Sequence, residues 1–162
     1  MKKTAASDHR QAEYKRPESV LVVVYTSLGD TLLMRRQRPA WPVFWQSVTG
    51  SLKWCEQTPL EAARRELEEE TGIDADSNWR DWHHTFRFPV LPRYRHRYPP
   101  GCRHNVEHVF SLEIPAVTSV RVNPTEHSDS YWCPLNEATA KVWSWTNRAV
   151  LTALSNQTHT RS

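Results

Sequence analysis

The alternation of hydrophobic and polar residues predicts a domain in which strands outnumber helices. Residues 19–27 (SVLVVVYTS) form an uninterrupted β-branched run, which is typical of a strand buried on both faces. A second strand is predicted over residues 31–37, after the turn-forming sequence Leu28-Gly29-Asp30. Further segments that favour strands are WQSVTGSL, HHTFRFPVL, NVEHVFSLEI and DSYWCPL.

One helix is predicted between Thr58 and Gly72, with clear signals at both ends. Thr58 and Glu61 form a T-x-x-E capping box, and Pro59 occupies the first helical position, where its missing N–H is tolerated. Gly72 is the expected left-handed residue just beyond the helix. The stripe predicted to face the core consists of Leu60, Ala63 and Leu67.

Two more helices complete the predicted architecture. The segments PLNEATAKV and NRAVLTALS favour helices, and the second is expected to begin near Thr146 or Asn147. These elements predict an α+β fold, an α/β/α sandwich in which a mixed β-sheet lies between helices. We expect a single domain over residues 14–154, with flexible tails over residues 1–13 and 155–162, which are polar and lack periodicity.

Composition argues against several classes of protein. The 162 residues carry a net charge of +3, which suits an anionic small molecule as well as nucleic acid. The three cysteines are far apart and form no CxxC pair, which argues against a disulfide framework or a structural zinc site. The sequence contains neither a signal-peptide pattern nor an apolar run long enough for a membrane span. We therefore expect a cytoplasmic protein, and a monomer, because no long apolar stripe requires a partner.

The predicted helix concentrates carboxylates in a way that needs an explanation. Glu66, Glu68, Glu69 and Glu70 lie within two turns, and like charges three or four residues apart destabilise a helix. Arg65 precedes Glu69 by four residues and partly neutralises it. A hard divalent cation such as Mg²⁺, which prefers oxygen ligands and retains water, would supply the missing positive charge. From the helix alone, a solvated acidic surface explains the pattern equally well.

The order of residues across the turn and the helix favours the metal site. Residues 50–73 read GSLKWCEQTPLEAARRELEEETGI, and their second half, from Arg65 to Ile73, matches the signature of the Nudix hydrolase family at every defined position. The chain thus resembles a Nudix hydrolase, and this resemblance implies that the helix is the catalytic helix. The loop half differs from the family pattern by one inserted residue, so that Glu56 and Gln57 are both candidates for the position of the loop glutamate.

Segments outside the signature resemble one branch of this family. FWQSVTGS before the helix and RHRYPPG after it look like the bacterial dihydroneopterin triphosphate pyrophosphohydrolases of folate biosynthesis. This resemblance implies hydrolysis of dihydroneopterin triphosphate to dihydroneopterin monophosphate and pyrophosphate. It also implies Mg²⁺ as the cofactor, with Mn²⁺ as a possible substitute, and a small-molecule triphosphate as the substrate.

The same resemblance implies roles for individual residues. Glu66, Glu70 and Glu126 are expected to bind the metal, while Glu69 would bind a second metal or hold the attacking water. Arg65 belongs to the catalytic set. The residues expected to contact the substrate are Lys15, Arg36, Thr49, Phe88, Pro89, Val90, Leu91 and Ser144. A flat slot for the pterin ring would draw on aromatic residues, and the candidates are Phe44, Trp45, Phe88 and Trp145.

Two alternatives to this function remain at the level of the sequence. The signature indicates a triphosphate and a metal but not a base, so a general (deoxy)nucleoside triphosphate pyrophosphohydrolase fits it too. A non-catalytic Nudix module that binds a nucleotide or RNA would be expected to lose signature carboxylates, yet this chain keeps Glu66, Glu69 and Glu70. Nucleic acid is not expected as a partner, because Pro92, Pro99 and Pro100 shape the basic segment into a loop rather than a long groove.

Overall fold

The structure is a computed structural model that describes residues 13–37 and 43–160. Within these ranges the chain forms seven strands, three α-helices and one 3₁₀ helix, Pro92–Arg97. The strands are β1 Glu18–Thr26, β2 Asp30–Arg36, β3 Trp45–Gln46, β4 Val48–Ser51, β5 Trp79–Pro89, β6 His104–Ile114 and β7 His127–Pro134. The helices are α1 Pro59–Thr71, α2 Leu135–Lys141 and α3 Trp145–His159.

Strand β1 is the centre of a mixed sheet. It runs parallel to β6 along its whole length, and β5 pairs antiparallel with the far side of β6. On its other side, the first half of β1 pairs with β4, whereas only its end meets β2, where Tyr25 lies opposite Thr31. Strand β2 in turn pairs with β3 and β7. Strands β4 and β2 therefore pair with the same edge of β1, one along its first half and the other at its end.

The side chains of β1 alternate between two hydrophobic cores. Val20, Val22 and Val24 pack in one core, together with Ala62, Ala63 and Leu67 of α1. Leu21 and Val23 point to the opposite face and pack in a second core. The helical members of the second core are Leu135, Ala138, Val150, Leu151 and Leu154. Helices thus cover both faces of the sheet, and the predicted α/β/α sandwich is confirmed.

The predicted ends of α1 are also confirmed. The Thr58 side chain accepts a hydrogen bond from the Glu61 N–H at 3.4 Å, and Gly72 closes the helix with a φ of 76°. The predicted core stripe is wrong at one position, because Leu60 is 37% exposed and Ala62 is buried instead. The apolar stripe is therefore rotated slightly, and it also places Glu70 inside the protein.

Helix α3 begins one residue before the predicted start and extends beyond its predicted end. Ser144 caps it by accepting a hydrogen bond from the Asn147 N–H, and the Asn147 amide exchanges two hydrogen bonds of 2.9 Å with Ser47. The helix continues to His159, and Ser155 is buried, so residues 155–159 are not the flexible tail that was expected. Residues 1–12 of the predicted N-terminal tail lie outside the described residues. None of the helices in the described part of the chain combines the length and the apolar character that a membrane span requires.

Candidate active site

The carboxylates of α1 line the edge of the helix that faces the sheet. Glu66 and Glu70 lie one turn apart, next to the core residues Ala63 and Leu67. The Glu66 side chain is 12% exposed and Glu70 is 1% exposed, whereas Glu68 and Glu69 lie on the surface. The solvated acidic surface considered above is therefore excluded for Glu66 and Glu70.

A glycine in β4 makes room for the first of these carboxylates. The Glu66 carboxyl group lies so close to the backbone of Gly50 that a Cβ atom at this position would overlap it. Val48, two residues earlier on the same face of β4, packs in the core beneath α1. The glycine that opens the signature is thus required by close packing of a side chain, and not by an unusual backbone conformation.

The loop before β7 contributes Glu126 to the site, and the first residue of β7 contributes His127. The Gln37 N–H, just beyond β2, donates to the Glu126 carbonyl oxygen at 2.9 Å, and the His127 N–H donates to the Asn123 carbonyl oxygen at 2.9 Å. The first bond fixes the loop to the end of β2, and the Arg121 N–H, earlier in the same connection, donates to the Thr71 carbonyl oxygen at the end of α1 at 3.1 Å. As a result, ligand atoms of Glu70, Glu126 and His127 lie within 4.8 Å of one another.

The electrostatics of this cluster are unfavourable in the absence of a cation. Burial raises the pKa of Glu70 to about 10, and repulsion from Glu66 and Glu126 adds to this effect. Burial also raises the pKa of Glu66, although Arg65 opposes the shift. Both carboxylate oxygens of Glu70 are buried without a hydrogen-bond partner among the described residues. Such a group is costly unless a ligand or an ion compensates it.

His127 adds to the cluster a nitrogen donor that suits a metal ion, and the sequence did not single it out. Burial and the nearby Arg36 guanidinium lower the pKa of His127 to about 4, so that its imidazole is neutral at physiological pH. Its Nδ1 atom is buried and has no hydrogen-bond partner in the described structure, while Nε2 lies 3.3 Å from the Gln46 amide nitrogen. The only sequence signal is its position directly after Glu126, and the burial of the side chain could not be read from that.

Arg65 holds the loop and the helix together. Its Nε atom donates to Glu56 Oε1, and its Nη2 atom donates to the Ser51 carbonyl oxygen at 2.9 Å. Its Nη1 atom donates to Glu66 at 2.8 Å and to Glu69 at 3.1 Å. Despite its partial burial, the pKa of Glu56 is lowered by its hydrogen bonds to Arg65 and to the Lys53 backbone.

These contacts decide between the two candidates for the loop position in favour of Glu56. The Glu56 carboxylate pairs with Arg65 and also accepts a 2.8 Å hydrogen bond from the Lys53 N–H. Gln57 is exposed, and its backbone N–H donates to the Glu61 carboxylate. The inserted residue therefore lies between Glu56 and the helix, where the loop absorbs it.

The fit of this site to a metal ion can be judged from the donor set. Glu70, Glu126 and His127 offer two carboxylates and one neutral imidazole. Glu66 lies near this group, because repulsion from Glu126 contributes to the raised pKa of Glu66. Unpaired, buried carboxylate oxygens are the ligands that a hard divalent cation requires. The residues present therefore fit such a cation. Glu69, the fourth predicted ligand, has a half-exposed side chain that bonds to Arg65 and lies 3.9 Å from the Lys53 amine.

The predicted substrate contacts fall into three groups. Arg36 lies at the acidic cluster, with its Nη1 atom 3.5 Å from Glu126. Thr49 and Phe88 belong to the opposite face of the sheet. Thr49 is adjacent to Val48, which packs in the first core, so its side chain points to the other face. Phe88 is two residues from Phe86, which packs in the second core, so both side chains point to that face. Ser144 caps α3 on that same face. The remaining contacts lie at the ends of β1 and β5: Lys15 bonds through its backbone N–H to Arg97 at 2.7 Å, Val90 is buried, and Pro89 and Leu91 are exposed.

Comparison with known proteins shows the family to which the chain belongs. Residues 15–154 match the NUDIX domain. The dihydroneopterin triphosphate diphosphatase of Escherichia coli is 39% identical over 141 residues, which cover 85% of this chain and 91% of that protein. The enzyme of the same name from Haemophilus influenzae is 36% identical over 138 residues, which cover 83% of this chain and 85% of that protein.

A solved structure extends the similarity to three dimensions. The structure of the E. coli dihydroneopterin triphosphate pyrophosphohydrolase matches with a TM-score of 0.75 and 36% identity, covering 89% of this chain and 98% of that chain. The carboxylate-bearing helix, the glycine beneath it and the match over most of the domain lead to one conclusion. The chain belongs to the NUDIX domain family and is a Nudix hydrolase.

Proposed function

We propose that this enzyme hydrolyses dihydroneopterin triphosphate to dihydroneopterin monophosphate and pyrophosphate, with Mg²⁺ as its cofactor. The observation that carries the proposal is the similarity of 36–39% identity, over most of both chains, to proteins named for this substrate. The basic residues near the acidic cluster, Arg36 foremost, suit a substrate that carries several negative charges.

The metal would be held by Glu66, Glu70 and Glu126, with the His127 imidazole as a further donor. A divalent cation bound there would neutralise charge on the phosphates and lower the pKa of a coordinated water. The acidic cluster, which is unfavourable by itself, would then become a favourable binding site for the ion. This explains why the chain keeps carboxylates in a position where they oppose folding.

The protein's own residues would position the reacting groups. The Arg65 guanidinium orients the Glu66 carboxylate, and Gly50 lets this carboxylate approach the sheet. The Arg36 guanidinium, next to Glu126, is placed to donate hydrogen bonds to a phosphate oxygen. Glu69 is half-exposed to solvent, where it would hold the attacking water or contribute to a second ion.

Side-by-side kinetics provide the direct test of the substrate. We expect kcat/KM for dihydroneopterin triphosphate to exceed the values for all four common dNTPs, measured with the same enzyme in Mg²⁺. A higher value for any dNTP would favour the general nucleotide pyrophosphohydrolase and contradict the proposal. Chelation with EDTA should abolish the activity and added Mg²⁺ should restore it, whereas full activity in EDTA would exclude the metal mechanism.

Labelled water provides a test of the reaction itself. Hydrolysis in H₂¹⁸O places one labelled oxygen in whichever product contains the phosphorus that water attacks. Mass spectrometry of the two products therefore identifies this phosphorus. Release of inorganic phosphate instead of pyrophosphate would contradict the proposed cleavage.

A further inference from the structure

A second buried glutamate, outside the acidic cluster, has no role in the mechanism described above. Glu107 lies in the middle of β6 and is 6% exposed. Its Oε1 atom is buried and has no hydrogen-bond partner among the residues that the structure describes. Burial raises the pKa of Glu107, and a hydrogen bond with Thr146 opposes the shift without cancelling it. A carboxyl group left in this state is unfavourable unless a ligand satisfies it.

The strand register places Glu107 on the face of the sheet that is remote from α1. Val109, two residues further along β6, packs in the second core, so that Glu107 points to the same side. Its neighbours across the sheet are Phe86 on β5 and Ser19 on β1. The Ser19 hydroxyl accepts a 2.7 Å hydrogen bond from the Asn105 side chain, which lies one position along this face.

Aromatic rings and the start of α3 surround this carboxyl group. The Phe86 ring packs edge to face against Trp145, with 5.3 Å between their centroids, and Trp145 is largely exposed. Phe88 lies on the same face of β5, opposite Asn105. Thr146, which is near enough to oppose the rise in the pKa of Glu107, bonds to the capping Ser144 hydroxyl at 2.8 Å. Aromatic rings and hydroxyl groups thus lie near the Glu107 carboxyl group, and a site for a heteroaromatic ring requires both kinds of group.

Three of the residues that the family resemblance predicts as substrate contacts lie on the same face of the sheet as Glu107. Thr49, Phe88 and Ser144 come from three separate elements, and all three belong to the face of the sheet that carries Glu107. The acidic cluster lies on the other face, beside α1. If the acidic cluster binds the triphosphate, other residues must bind the ring attached to it. Among Thr49, Phe88, Ser144 and Glu107, the charged residue is Glu107, and it is buried.

The chemistry of the ring supplies what Glu107 lacks. A pterin carries a 2-amino group beside the N3–H group, two parallel donors that match the two oxygens of one carboxylate. We propose that Glu107 is a specificity-determining residue that accepts hydrogen bonds from the 2-amino-4-oxopyrimidine edge of the substrate ring. This inference rests on the proposed function, because it presupposes a pterin substrate.

A purely structural role for Glu107 makes different predictions. In that case the carboxyl group would serve to join β6 to α3 through Thr146, and its replacement would lower the stability of the protein and affect all substrates equally. A ring-binding role predicts a defect that depends on the ring. Glu107→Gln separates the two, because the amide keeps the shape and one acceptor but presents N–H groups to the ring donors.

Binding of two free ring compounds tests the proposal without metal or turnover. Pterin carries the 2-amino group, whereas lumazine has an oxygen at this position and is otherwise similar. We expect the wild-type protein, titrated by fluorescence in EDTA, to bind pterin roughly 30-fold or more tightly than lumazine. Glu107→Gln should lose most of this preference. Glu113→Gln is the matched control, since Glu113 lies on the same face of β6 and accepts a hydrogen bond from Tyr25.

Kinetics with two triphosphates distinguish this inference from the proposed function. Glu107→Gln should lower kcat/KM for dihydroneopterin triphosphate roughly 30-fold or more while changing that for dTTP less than about threefold, since thymine lacks the paired donors.

If the wild-type enzyme prefers the pterin substrate but Glu107→Gln keeps the pterin preference, only the ring inference fails. If the wild-type enzyme prefers a dNTP, the proposed function fails. A large drop in melting temperature with equal losses on both substrates would identify a structural carboxyl group and overturn the inference.

Discussion

Helices α1 and α3 pack against opposite faces of β1, and they differ in what they bury. Helix α3 buries Val150, Leu151 and Leu154, and its buried Asn147 side chain has hydrogen-bond partners on Ser47. Helix α1 buries Ala62, Ala63 and Leu67 together with Glu70, whose carboxylate has no hydrogen-bond partner in the described structure. The buried residues of α3 therefore stabilise the fold. In α1 the buried apolar residues stabilise the fold, whereas the buried Glu70 destabilises it.

This difference shows that the unfavourable electrostatic interactions are concentrated on α1, at Glu70. A buried, unpaired carboxylate destabilises the folded state, and a mutation that neutralises it should stabilise the metal-free protein. Destabilising groups of this kind are expected at functional sites, because function and not folding selects them. The contrast between α1 and α3 can thus be tested by asking which substitutions affect turnover and which affect stability.

The largest effect on turnover is expected from Glu70→Gln. Loss of this carboxylate should lower kcat by about a hundredfold or more, because the amide is a poor ligand for a hard cation. The same change should raise the stability of the metal-free protein. Burial raises the pKa of Glu70 in the folded state from an ordinary 4.5 to about 10. Above pH 4.5 the carboxyl group therefore ionises in the unfolded chain but stays protonated in the folded protein, so that the free energy of unfolding falls as the pH rises. At pH 7 this amounts to about 3 kcal/mol of the free energy of unfolding.

Thermal melting in EDTA across pH 5–9, with kinetics in Mg²⁺, checks both parts of this prediction. The free energy of unfolding of the wild type should fall, relative to the variant, as the pH rises. Glu68→Gln is the matched control, since Glu68 is exposed on the outer side of α1 and should change neither quantity appreciably. Near-normal turnover of Glu70→Gln would contradict the assignment of the site.

A smaller loss of turnover is expected from Gly50→Ala. The added methyl group would overlap the Glu66 carboxyl group, which must then move away from the sheet. We expect kcat/KM to fall about 10- to 100-fold, similar to the loss when a residue that orients a metal ligand is removed.

Gly29→Ala is the glycine control for this change. Gly29 has a φ of 90° in the turn between β1 and β2, and nothing lies within 4 Å of a Cβ atom there. Its substitution should therefore reduce stability by about 1 kcal/mol through backbone strain while leaving kcat/KM unchanged. Equal activity of the two variants would show that the position of Glu66 is not critical.

The loop that contacts α1 should show a still smaller effect. Glu56→Ala removes the main partner of the Arg65 guanidinium, so that this side chain can no longer hold Glu66 in one orientation. We expect kcat/KM to fall about tenfold or more. Gln57→Ala is the control and should retain activity within about twofold, because Gln57 contacts Glu61 only through its backbone N–H. The reverse order of the two variants would show that Gln57 occupies the functional position.

The smallest effect on turnover is expected on the side of α3. Leu154→Ala removes a fully buried side chain from the second core and should lower the free energy of unfolding by about 2–5 kcal/mol. Leu154 lies more than two turns beyond Thr146 on α3 and packs in the second core, on the face of the sheet remote from α1, so kcat should stay within about twofold of wild type at temperatures where the variant is folded. Urea denaturation and initial rates on the same preparation check this. A loss of kcat as large as that of Gly50→Ala would break the contrast between the two helices.

Local signals explain which parts of the fold could be predicted. The ends of α1 depend on Thr58, Pro59 and Gly72, whose effects act within one turn of the helix. The β-branched run of β1 likewise carries its own strand preference. The rotation of α1 was less predictable, and Leu60 was wrongly placed in the core, because the packing partner of a helix decides which of two adjacent stripes is buried.

The amino-acid sequence by itself determined the order of the elements, the signature from Gly50 to Gly72 and the concentration of acid on one short helix. Only the tertiary structure decided that Glu66 lies against Gly50, that Glu56 rather than Gln57 bonds to Arg65, and that His127 joins Glu70 and Glu126. It also decided that Glu107 is buried beside α3. Each of these outcomes depends on contacts between segments distant in the chain. Propensity and periodicity describe neighbours along the sequence, and the energy of such a distant contact depends on burial and distance, which exist only after folding.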